Sequence, residues 1–158
     1  MSGGLFDDLR DLYQEVILDH GRKPRNFRRL DDADHEARGD NPMCGDRMQL
    51  WVKLSPEGRI ADAAFQGKGC AISMASASLM TETVRDKTPD QARALGGRFR
   101  ELATTGTCPD CGGALEEDMD RLQVLGGVAE FPSRVKCATL AWHTLNAALD
   151  NVQEVSSE

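Results

Sequence analysis

Leu5, Leu9, Leu12, Val16 and Ile17 recur every three or four residues. That spacing predicts an amphipathic helix ending near His20-Gly21, where Lys23-Pro24-Arg25-Asn26 breaks the pattern. From Leu30 to Asp40 the chain is acidic and turn-rich. It reads as a connection rather than an element, with room for a short strand. Met48, Leu50, Val52 and Leu54 then alternate with Gln49, Trp51 and Lys53, the period-two signature of a half-buried strand. Ser55-Pro56-Glu57-Gly58 is a hairpin-like turn, and Arg59 to Gln66 reads as a second strand with Ala61, Ala63 and Phe65 on one face.

After Gly67-Lys68-Gly69 the period changes to that of a helix rich in small residues, Ala71 through Arg85, with Ala75, Leu79 and Val84 on one side. Thr88 as cap, Pro89 at the first position and Gln91 closing a capping box predict a further helix, continuing through Leu95, Phe99 and Leu102 to Gly106. Leu115, Met119, Leu122 and Leu125 mark a short helical piece ending at Gly126-Gly127. The last helix starts near Ser133 and carries Val135, Ala138, Ala141, Trp142, Leu145 and Leu149. Strands first and helices afterwards predict an α+β domain with a small antiparallel sheet. One domain over residues 1–150 and a polar, flexible tail over 151–158 account for the chain.

Composition narrows the function. A net charge of −7 argues against a nucleic-acid binder, which needs a basic face. No apolar run approaches the roughly 20 residues of a membrane helix. The acidic start, Met-Ser-Gly-Gly-Leu-Phe-Asp-Asp, lacks the layout of a signal peptide. With five cysteines, an odd count, and no export signal, reduced thiols in a cytoplasmic protein are expected.

Three of those cysteines stand alone: Cys44, Cys70 and Cys137, each at a junction marked by Gly or Pro. Three thiols with one carboxylate, Asp46, point to soft-metal binding or sulfur handling. Cys70 falls where a strand hands over to a helix and Cys137 in the first turns of the last helix. There the helix dipole and Lys68, Arg134 and Lys136 favour thiolate. Zn²⁺ with three thiolates and a carboxylate has a formal charge of −2, which these cations and dipoles offset. Asp46, two residues after Cys44, can complete a tetrahedral shell. The competing reading, three small buried hydrophobes, fits any one cysteine better than all three.

Leu12-Tyr13 through Asp19-His20, Pro24-Arg25-Asn26, Asn41-Pro42-Met43-Cys44-Gly45-Asp46, Gly67-Lys68-Gly69-Cys70-Ala71-Ile72-Ser73 and Phe131-Pro132-Ser133-Arg134-Val135-Lys136-Cys137-Ala138 together resemble the IscU-like iron–sulfur scaffold family, in order from about Leu9 to Leu145. Within it the chain looks like the SufU branch. Lys136 stands where IscU scaffolds proper have a His, and an extra segment lies within about Asp86–Gly127. The chaperone-docking Leu-Pro-Pro-Val-Lys stretch is replaced by Phe131-Pro132-Ser133-Arg134, which argues against handover to a dedicated Hsp70. The resemblance implies a three-stranded antiparallel sheet packed by helices. It further implies a zinc-dependent sulfurtransferase that accepts persulfide sulfur from a PLP-dependent, SufS-like cysteine desulfurase and serves downstream iron–sulfur assembly proteins. Cys44, Asp46, Cys70 and Cys137 are the implied zinc ligands, Cys44 the sulfur acceptor and Arg134 the residue engaging the desulfurase. A scaffold for a [2Fe–2S] cluster on the same ligands is the alternative within the family, and a zinc-stapled, non-catalytic interaction module is the alternative outside it.

Cys108-Pro109-Asp110-Cys111-Gly112-Gly113 does not belong to that pattern. It looks like one knuckle of a zinc ribbon without its second half, or a redox pair. An exposed loop without function is the reading preferred here. Trp51, Trp142, Met74 and Met80 are read as packing residues, His20 as a helix C-terminal cap, and Asp31–Glu36 as a solvated face.

Overall fold

The β-hairpin read from the alternating segment forms the centre of a sheet. The computed structural model describes residues 14–42, 45–106 and 116–156, so Leu5, Leu9, Leu12, Cys44, Cys108 and Cys111 lie outside the described residues. Strand β2 (Asp46–Leu54) pairs antiparallel with β3 (Ile60–Lys68) on one side and with β1 (His35–Asn41) on the other. A short β4 (Glu154–Ser156) joins the far edge of β1 in parallel, giving the order β3-β2-β1-β4. The sheet therefore has four strands, one of them parallel, where the sequence suggested three antiparallel ones. The additional strand comes from the segment read as a tail.

Strand β1 lies where the sequence reads as a connection. Its inward positions are Ala37, Gly39 and Asn41, all buried but none strongly hydrophobic, so the period-two signal is weak. The small residues are a packing requirement, because a Cβ at Gly39 would collide with Thr144 Oγ1 on the helix behind. A second departure falls on β3. Lys53 pairs with Asp62 and Leu54 with Ile60, so Ala61 is the unopposed residue of a bulge and is exposed. Ala63 and Phe65 face the core as expected, while Ala64 pairs with Trp51 and packs with Leu30 and Ala33 on the opposite face.

The helices lie mainly on one face of this sheet. Helix α1 is described over 14–22. It is followed by α2 (Ala71–Thr83), α3 (Pro89–Thr105), α4 (Glu116–Leu122), a 3₁₀-helix (Gln123–Glu130) and α5 (Pro132–Leu149). Met48, Leu50, Val52, Ile60 and Phe65 of the sheet meet Leu79, Met80, Leu140 and Leu145 in one core, where each fully buried Leu or Phe contributes about 1.5–3 kcal/mol. Among the described residues, no helix is long and apolar enough to cross a membrane.

Helix α2 is enclosed rather than amphipathic: Ser73 through Thr81 are all buried. Alanines and serines let its neighbours approach, and the hydroxyls satisfy themselves locally. Ser76 Oγ donates to the Ala138 carbonyl of α5 at 2.5 Å, and Thr83 Oγ1 donates to the Leu79 carbonyl at 2.7 Å. Ser78 Oγ accepts the Arg25 N–H at 2.8 Å and lies 2.7 Å from His20 Nδ1. His20 is thus a buried partner of α2 instead of a terminal cap. The capping box of α3 forms as read, with Thr88 Oγ1 accepting the Gln91 N–H and Gln91 Oε1 accepting the Thr88 N–H.

Candidate metal centre

Three chain junctions meet at one point. The β1–β2 hairpin closes with Asn41 opposite Asp46 and with the Gly45 N–H donating to the Asn41 carbonyl at 2.9 Å. This puts Asp46 at the start of β2 with its side chain fully buried. Strand β3 ends at Lys68, the chain turns through Gly69, and Cys70 becomes the N-cap of α2 in an extended conformation. Cys137 lies two turns into α5 and is fully buried. A sulfur from each cysteine and a carboxylate oxygen of Asp46 lie within 4.8 Å of one another.

Asp46 is held by one oxygen and bare on the other. Oδ1 accepts the Cys70 backbone N–H at 3.0 Å. Oδ2 is buried with no hydrogen-bond partner. A buried carboxylate oxygen without a donor is costly unless a cation completes it. Cys137 Sγ accepts a long hydrogen bond from Asn41 Nδ2 at 3.6 Å and lies 3.8 Å from the Ser133 carbonyl. Cys70 is part-exposed and opens the cluster to solvent. Two sulfurs and one oxygen, close-set and buried on two of three sides, match the soft-to-borderline donor set of Zn²⁺.

Gly69 fits this geometry for a steric reason. A Cβ there would sit 2.5 Å from Asp46 Oδ1 and 2.5 Å from Ser73 Oγ, so any side chain would displace the carboxylate. Arg134 stands exposed at the mouth. A hydrogen bond to Cys137, then the charges of Cys70 and Cys137, push its pKa above the ordinary arginine value. Lys68 is exposed beside Cys70, as the sequence implied, and Lys136 is half-buried.

The structure thus brings together Asp46, Cys70, Cys137 and Arg134 from the expected set. Cys44 lies outside the described residues, as do Cys108 and Cys111. Asn41 was quoted in the motif but given no role. The available signal was an amide side chain directly before Pro42, at the inward register of a strand.

The family model for the NifU-like N-terminal domain matches residues 12–157. A Streptococcus pyogenes serotype M1 protein named iron–sulfur cluster assembly scaffold protein IscU is 39% identical over 141 residues, covering 89% of this chain and 84% of that one. The zinc-dependent sulfurtransferase SufU of Bacillus subtilis (strain 168) is 39% identical over 138 residues, covering 87% of this chain and 89% of its own. Among solved structures, FiSufU of Fervidobacterium islandicum AW-1, assigned as an iron–sulfur cluster assembly scaffold for the SUF system, superposes with a TM-score of 0.77 at 30% identity over 89% of this chain and 98% of that one. The chain belongs to the NifU-like N-terminal domain family, with close relatives named IscU and SufU.

Proposed function

We propose that the protein is a zinc-dependent sulfurtransferase that takes persulfide sulfur from a PLP-dependent cysteine desulfurase for iron–sulfur cluster biogenesis in the cytoplasm, with Zn²⁺ held by Cys44, Asp46, Cys70 and Cys137. The observation that carries this reading is the convergence of Asp46, Cys70 and Cys137 with a buried Asp46 Oδ2 that nothing satisfies. Zinc bound there would supply thiolates that stay deprotonated at neutral pH.

Cys44 is the acceptor. Its thiolate attacks the outer sulfur of the desulfurase persulfide, and the S–S bond of that persulfide breaks. The desulfurase cysteine leaves as a thiolate, and the outer sulfur remains on Cys44 as a new persulfide. No electrons are gained or lost overall. The Cys70 N–H fixes Asp46, Cys137 is secured inside α5, and Arg134 offers a cation at the mouth where the donor arrives. Cys44→Ser should abolish stimulation of desulfurase turnover; wild-type stimulation with zinc content intact would overturn the assignment.

A [2Fe–2S] scaffold is the second reading, favoured by the equal identity to a relative named as a scaffold. Lys136 in place of a potential histidine ligand speaks for zinc. Metal and acid-labile sulfide determination after anaerobic purification separates the two. Desulfurase stimulation separates transfer from a zinc that only staples an interaction module.

A further inference from the structure

Away from the metal centre, α3 and α5 face each other along two matched stripes. Arg93, Gly96, Gly97 and Arg100 lie on α3 at positions i, i+3, i+4 and i+7. Thr139, Trp142, His143 and Asn146 lie on α5 at the same intervals. Side chains so placed normally interdigitate and close the interface. Here the middle of the α3 stripe is two glycines, and a cleft of about 100 Å³ remains. Gly96 brings α3 against the Trp142 ring, since a Cβ there would come within 3.3 Å of Cε3. A Cβ on Gly97 would meet nothing within 4 Å.

The lining is polar and incompletely satisfied. Trp142 is 3% exposed, yet its Nε1 has no hydrogen-bond partner, and Asn146 Oδ1 is likewise buried without one. The first is a donor lacking an acceptor, and the second is an acceptor lacking a donor. Arg93 is tied to Asp150 at 2.6 Å and to Asp90 at 3.3 Å. Arg100 has no carboxylate partner among the described residues. Burial, then the charge of Arg100, push the His143 pKa down, so the ring is neutral and can share a hydrogen bond.

We infer that this cleft binds a compact oxyanion that both accepts and donates hydrogen bonds, of which inorganic phosphate is the type. Arg100 supplies the unpaired cation, Trp142 the indole N–H, and Asn146 Oδ1 the acceptor for a phosphate O–H. The space suits a tetrahedral ion and falls far below the 300–1,000 Å³ of pockets for larger ligands. Sulfate has the same shape but no proton to donate at neutral pH, so it would leave Asn146 Oδ1 unpaired.

The test titrates the full chain with inorganic phosphate and with sulfate at matched ionic strength. Amide and indole N–H resonances are followed by NMR, and the melting temperature is read in parallel. Phosphate is expected to give saturable shifts centred on Gly96, Gly97 and Trp142, with a rising melting temperature. Sulfate should bind at least about tenfold more weakly, the order of the penalty for one unpaired buried oxygen. Arg100→Gln and Gly97→Leu should each weaken phosphate at least about tenfold while leaving zinc content unchanged. Equal binding of the two anions, shifts mapping elsewhere, no saturable binding, or wild-type affinity in both variants would each overturn the proposal.

Discussion

The backbone N–H of Cys70 donates to Asp46 Oδ1 at 3.0 Å, while Asp46 Oδ2 is buried without a partner. One oxygen positions the carboxylate on the α2 N-terminus, leaving the other for a cation. Asp46→Asn retains the shape and an acceptor for Cys70 but removes the charge. It is expected to stay folded and to lose at least about 10–100-fold in zinc affinity, since even groups one step removed from a metal are worth that much. Competition against a chelator of known affinity measures it; unchanged affinity would remove Asp46 from the ligand set.

Gly69 leads to a steric prediction at the same place. The methyl of Gly69→Ala would lie 2.5 Å from both Asp46 Oδ1 and Ser73 Oγ, so the carboxylate or the turn must shift. Overpacking of this kind costs about 1–3 kcal/mol, and zinc occupancy should fall with it. Gly97→Ala is the matched control, because its methyl enters open space inside a helix. There Ala should stabilise by about 0.5–1 kcal/mol. Denaturant unfolding and metal content of the two variants decide the case; full occupancy in Gly69→Ala would sink it.

Helix α3 shows what the sequence states openly. Thr88, Pro89 and Gln91 form the start, and Gly106 ends the helix with φ 83; each device acts within three residues of itself. Thr88→Ala should therefore cost about 1 kcal/mol, read as a lower denaturant midpoint at unchanged slope. No change at the midpoint would mean the box contributes nothing in this context.

Features that depend on distant partners were harder to read. Strand β1 is built from Ala37, Gly39 and Asn41 because α5 lies against it, and small inward residues carry almost no hydrophobic signal. The Ala61 bulge depends on how β3 pairs with Lys53 and Leu54. The site divides in the same way. Asp46, Cys70 and Cys137 could be named from their motifs, since metal donors are few and chemically distinct. That Asp46 binds through one oxygen to the Cys70 backbone, and that Asn41 reaches Cys137, are facts of tertiary approach.

His20 sets a pH dependence on stability. Burial is the main cause that lowers its pKa below 6.5, reinforced by Arg25 and Arg121 and opposed by Glu82 and Asp19. The folded state thus binds a proton less readily than the unfolded chain does. The stabilisation is complete above about pH 6.5 and is lost as pH falls through the lower folded value. Its structural basis is the 2.7 Å contact between His20 Nδ1 and Ser78 Oγ, the hydroxyl that also holds the Arg25 N–H and so fastens the chain after α1 to α2. His20→Gln should cost about 0.5–1.5 kcal/mol at pH 8, the usual worth of one hydrogen bond, with the gap from wild type narrowing as pH drops below 6.5. His143 shifts in the same direction in both proteins, so the difference between them isolates His20. Urea unfolding at half-unit steps from pH 5 to pH 8 gives the two curves, and a gap that stays constant or widens on acidification would refute the assignment.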